Sequence, residues 1–100
     1  MRAILFSGSD IKEIDIIDSV EALKKVVNAD IISAVDLVPN QAVMIINIHG
    51  RDHQMKPNIM ASSIAGQKIV GPAVAIGVKD NSFTSLPLEI ARHIKTRCGI

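Results

Sequence analysis

Two histidines, an arginine and an aspartate fall within five consecutive positions, His49-Gly50-Arg51-Asp52-His53. Imidazole nitrogens and carboxylate oxygens are metal ligands. Arg51 and His53 could instead meet an anion through charge-assisted hydrogen bonds. On a helix, the four-residue separation would put both histidines on one face. Gly50 and the apolar run before it place the segment at a turn instead, so that geometry is lost. No further ligand can be named from the sequence, and the segment reads as a polar hairpin tip with no metal assigned. Asn47, Arg51, His53, Pro57 and Asn58 form the candidate binding set, gathered in one loop region with donors and no expected core role. Arg51 and His53 are its anion-binding members.

Other chemistry is sparse. Gly66-Gln67-Lys68-Ile69-Val70-Gly71-Pro72-Ala73 is neither a dinucleotide fingerprint nor a phosphate loop, because no Gly-Lys-Ser/Thr follows. Its glycines fit a bulge or close packing in a strand. Cys98 has Arg97 beside it, which favours a thiolate, but no histidine is placed as its base. The serines show no nucleophile elbow. Asp15 and Asp18 flank the start of a helix, where capping accounts for them. No catalytic residue and no cofactor is assigned.

The elements that must position these residues come from composition and pattern. The chain has 100 residues, 48% hydrophobic and 21% charged, with a net charge of +1. Its length fits one domain, residues 1–100. Its hydrophobicity and low net charge exclude a disordered chain and a nucleic-acid binder that works by bulk charge. No apolar run is long enough for a membrane span. The opening Met1-Arg2-Ala3-Ile4-Leu5-Phe6 reaches a turn too soon for a secretory leader. The single cysteine, Cys98, excludes an internal disulfide. A reduced, cytoplasmic location is expected. Seventeen isoleucines and nine valines against five leucines favour strands over a helical bundle. Phe6 and Phe83 are the only aromatics, a poor supply of stacking platforms for single-stranded nucleic acid. A mean hydropathy of +0.33 suits a chain that hides surface in a homo-oligomer.

Period and punctuation then give the order of elements. Arg2 to Phe6 and Ile11 to Ile16 read as a hairpin across Ser7-Gly8-Ser9-Asp10. A helix follows from Ser19 to Val27, with Asp18 as its cap and Glu21 at the capping-box spacing. Ile31 to Val38 and Ala42 to His49 form a second hairpin. The nearly continuous apolar run of its second strand suits a central position. Asn58 caps a short helix through Ile64, with Gly66 past its end. Lys68 to Val78 reads as a strand at an edge, or one bulged at Pro72. Ser85 caps a last helix with Pro87 in its first turn. The fold class is α+β, about five or six mostly antiparallel strands with two or three helices packed on one face.

The order of these pieces resembles a small domain-of-unknown-function family found in phages, conjugative elements and their bacterial hosts. The resemblance runs through Ile14-x-Ile16, Leu23-x-x-Val26-Val27-Asn28 and Ile31-Ile32-x-Ala34-Val35. It continues with Asn47, Gly50 and Pro57-Asn58, then the strand Ile69 to Gly77, then Phe83-Thr84-Ser85-Leu86-Pro87-Leu88-Glu89. It implies an accessory or counter-defence protein and carries no established chemistry. A weaker likeness links Ile69-Val70-Gly71-Pro72-Ala73-Val74 and Asp80-Asn81 to the N-terminal part of aldolase-like regulators of RNase activity. It implies a piece without the active site.

The expected function is a non-enzymatic binding module that occupies or sequesters a host protein or a small anionic ligand such as a nucleotide. A competing expectation is a small hydrolase or lyase whose site is built at an oligomer interface, involving Asp52 or His53. A third uses the basic face of the last helix, Arg92, His93, Lys95 and Arg97, against nucleic acid; that face reads first as solvated, and nucleic acid is not an expected partner.

Overall fold

The computed structural model describes residues 1–8, 10–50 and 54–100. Strands β1 (Arg2–Ser7) and β2 (Asp10–Asp15) form the first hairpin, paired from Arg2 opposite Asp15 to Ser7 opposite Asp10. Helix α1 spans Val20–Val26. Its cap is Ser19 and not Asp18: the Ser19 hydroxyl accepts the Ala22 N–H at 3.0 Å. Ser19 has the extended backbone of a cap residue, φ −154° and ψ 145°, which sets the helix start one residue later.

Strands β3 (Ile32–Val38) and β4 (Ala42–Asn47) make the second hairpin. Its turn has Pro39 with its preset φ and Asn40 at φ 61°, closed by the Gln41 N–H on the Val38 carbonyl at 3.0 Å. Helix α2 (Ile59–Ala65) follows, then β5 (Ala73–Lys79), β6 (Ser82–Thr84) and α3 (Leu88–Cys98). The sheet runs β2-β1-β5-β4-β3, with β6 on β5, and all its pairs are antiparallel. The α+β class and the six antiparallel strands agree with the sequence reading.

The strand expected over Lys68 to Val78 begins only at Ala73, and it lies in the middle of the sheet. Gly71 stands at φ 77° and Pro72 has no N–H, so the ladder cannot run back through them. Val70 instead makes an isolated bridge with Pro57. Ser85 caps nothing: its hydroxyl accepts the Arg2 N–H at 2.9 Å, and Pro87 occupies the position before α3. Strand β4 ends at Asn47, short of His49.

The layering also differs. The helices cover both faces of the sheet, not one. On the first face, Ile4 and Phe6 of β1, Met44 of β4 and Ala73 and Ala75 of β5 pack with Ala61 of α2 and Ala91 and Ile94 of α3. On the second, Ala3, Val43, Ile45, Val74 and Ile76 pack with Leu23 of α1 and with Val27, the residue that caps its C-terminal end. Alternate residues of a strand point to opposite faces, so β4 and β5 need apolar residues at every position to be covered twice. They have them. Small residues at Ala73, Ala75 and Gly77 leave the first face of β5 shallow. The Ser85 backbone lies directly over Gly77.

Candidate functional site

Asn47 ends β4 and is 4% exposed. Its Oδ1 accepts the His49 N–H at 2.9 Å, and its Nδ2 donates to the Asn28 carbonyl at 3.1 Å. Asn28 stands at φ 54° just past α1, so this bond fastens the end of that helix to the end of the strand. The chain then folds under itself. Gly50 N–H donates to the Asn47 carbonyl at 3.1 Å, and Met55 N–H to the Gly50 carbonyl at 3.0 Å. Gly50 is required by close approach: an added Cβ would stand 2.8 Å from Val70 Cγ2 and 3.0 Å from the Val70 carbonyl oxygen.

Asn58 closes the segment from the other side. It is 2% exposed and caps α2, its Oδ1 accepting the Ala61 N–H at 3.1 Å. Its Nδ2 donates to the carbonyls of Phe6 and Gly71, both at 2.9 Å. One amide therefore joins β1, α2 and the approach to β5. The absence of a core role expected for Asn47 and Asn58 is thus corrected: both are buried and their amides are engaged within the fold. Pro57 is exposed and faces outward beside the Lys56 carbonyl, which accepts the Gly71 N–H at 2.9 Å. Arg51 and His53, with Asp52 and Ser9, lie outside the described residues.

Two clefts meet at this segment. The larger, about 730 Å³, lies between the C-terminal end of α1 and Met55, with Lys24, Lys25, Asn28 and Asp30 on its walls. The smaller, about 250 Å³, is walled by Met55, Lys56, Pro57, Gly71 and Pro72. Asn28 and Met55 line both, so the two clefts adjoin and are treated together as the groove at Met55. Lys24, Lys25 and Lys56 bring positive charge to it. Glu21 and Asp30 bring negative charge, and Glu21 stands 3.7 Å from the Lys24 ammonium. The candidate set read from the sequence did not include Lys24, Lys25, Asn28, Met55 or Lys56. The run Met55-Lys56-Pro57 beside Asn58 was the available signal. The approach of α1 was not, because it depends on a contact spanning 19 residues.

The remaining candidates have structural roles. Gly66 is the left-handed cap of α2, at φ 72°. Gly71 is covered by Met55, whose sulfur would stand 2.5 Å from an added Cβ. On α3, Lys95 pairs with Glu13 at 2.9 Å, and Arg97 donates to the Ser63 carbonyl at 3.3 Å. Two cations of the basic helix face are therefore engaged within the fold. Burial raises the Cys98 thiol above its ordinary pKa, and Arg97 offsets this only partly. Among the described residues, no group of three or more His, Cys, Asp and Glu side chains is placed to hold a metal ion. No helix of the described residues is long and apolar enough to cross a membrane.

The chain matches no curated protein and no solved structure. A family model does match it, over residues 1–99, and on that nearly full-length match the chain belongs to the family described as the domain of unknown function DUF3846.

Proposed function

We propose that this protein is a non-enzymatic binding module that takes a small anionic ligand, of the nucleotide type, in the groove centred on Met55. The observation that carries this reading is the junction of the two clefts at Asn28 and Met55, with Lys24, Lys25 and Lys56 around it. An ammonium on a flexible stem meets a phosphate as a point charge. The polarizable thioether of Met55 adapts to the shape of an apolar ring, and Pro57 and Pro72 give rigid walls. The backbone beneath is fastened by Asn47 and Asn58, so binding requires little ordering of the protein. In a phage or mobile-element setting, such a module would act in the cytoplasm, withholding a signalling anion of the host as a counter-defence.

Calorimetric titration with ADP and with inorganic pyrophosphate tests the reading. Binding is expected with both, weakening as salt rises. The triple variant Lys24→Ala, Lys25→Ala, Lys56→Ala should lose at least about tenfold in affinity, since one charge-assisted hydrogen bond is worth about 1.5–3 kcal/mol. Absence of binding to the native protein, or equal affinity in the triple variant, would overturn it.

A further inference from the structure

The two outer strands of the sheet are unlike each other. β2 carries Asp10, Lys12, Glu13 and Asp15 within Asp10–Asp15. β3 carries Asp36 as its one charge within Ile32–Val38. A charged edge is protected against pairing with another strand, and an apolar one is not. The pairing of β3 with β4 shows which of its backbone groups are unused by the sheet. Ile48 N–H donates to the Ile31 carbonyl at 3.3 Å, and the same register runs without a break from Ile32 opposite Asn47 to Asp36 opposite Val43. Hydrogen-bonded pairs alternate along an antiparallel ladder. Ile31, Ser33 and Val35 therefore turn their backbone groups to β4, while Ile32, Ala34 and Asp36 turn theirs away from the sheet.

We propose that β3 pairs with β3 of a second copy of this chain, antiparallel and two-fold about Ala34. Three features select a second copy. The two-fold register sets Ile32 against Asp36 and Ala34 against Ala34, so outward-turned backbone groups meet each other and form up to about six hydrogen bonds. It sets Asp36 against an isoleucine, so no like charges face each other. It also brings Ile31, 53% exposed, near Leu37 of the second copy, whose side chain packs on the sheet face that carries α2 and α3. Ile48, also 53% exposed, lies beside Ile31 at the same margin. The charged β2 edge stops further addition, so the assembly closes as a dimer and does not grow into a fibre.

Sedimentation equilibrium from about 1 to 100 μM protomer tests this, since a dimer's population depends on concentration. The expected mass is twice 10.7 kDa. Ala34→Lys places an ammonium at the two-fold axis, and Ala34→Pro removes an N–H that the single chain does not use. Each should be monomeric with an unchanged circular dichroism spectrum. Amide exchange gives a second readout for the case in which the proline variant does not fold. In the native protein, the Ala34 N–H should exchange as slowly as that of Ser33. In Ala34→Lys, the residue 34 amide should exchange fast while Ser33 stays protected. A native protein that is monomeric throughout, a lysine variant that remains dimeric, or a fast Ala34 amide in the native protein would each overturn the proposal.

Discussion

Asn58 shows how much of this site rests on single side chains. Replacement by alanine removes a helix cap worth about 1 kcal/mol. It also removes two buried hydrogen bonds, donated to the Phe6 and Gly71 carbonyls, at about 1 kcal/mol each. Asn58→Ala should therefore lose about 3 kcal/mol or more in urea unfolding, a large share of the roughly 5–15 kcal/mol that holds a domain together. Asn58→Asp separates the two roles. It keeps the oxygen that accepts from Ala61 but turns a carboxylate toward two carbonyl oxygens. It should be at least as destabilising as alanine, and native-like stability in the aspartate variant would refute the donor role. The capping role of Asn58 was legible in sequence, from the apolar run that follows it and from Gly66. The two donated bonds were not, because Phe6 lies 52 residues away and its carbonyl carries no residue identity. Asn47 is alike, since its partner is the backbone of Asn28.

Local pattern gave the larger elements well where their partners were near in sequence. The spacing of Leu23, Val26 and Val27 announced α1, and both long hairpins were marked by their turns. The face each helix covers was not legible, because an apolar stripe says that a helix is covered but not which side of a sheet covers it. β6 escaped notice because Ser82–Thr84 is too short for an alternating pattern. The link between β5 and α3 gives a direct test of the packing. At Gly77, an added Cβ would stand 2.9 Å from the Ser85 carbonyl carbon, with the oxygen nearer still. Gly77→Ala should cost about 3 kcal/mol, since neither backbone can yield freely. At Gly66, an added Cβ meets nothing within 4 Å, and only the left-handed backbone is strained. Gly66→Ala should cost about 1–2 kcal/mol. Thermal unfolding of the pair reads the difference, and equal losses would contradict the placement of Ser85 over β5.

For the molecule as a whole, groove and outer strand are arranged so that one need not obstruct the other. The groove opens beside Ala29 and Asp30, just before β3 begins, while the proposed two-fold passes through Ala34. Antiparallel pairing sends the two grooves to opposite ends of the joined strands, so each would stay open to ligand. Entry of an anion at Met55 can be read from the methionines themselves. Four methionines, Met1, Met44, Met55 and Met60, report on separate parts of the chain, and Met44 is fully buried between strands and helices. Methyl-labelled protein titrated with ADP and followed by carbon–proton correlation spectra locates the contact without any substitution. A saturable shift of the Met55 methyl is expected, with the Met44 methyl unmoved. Saturation that leaves Met55 unchanged while another methionine shifts, or no shift at any methyl, would contradict it.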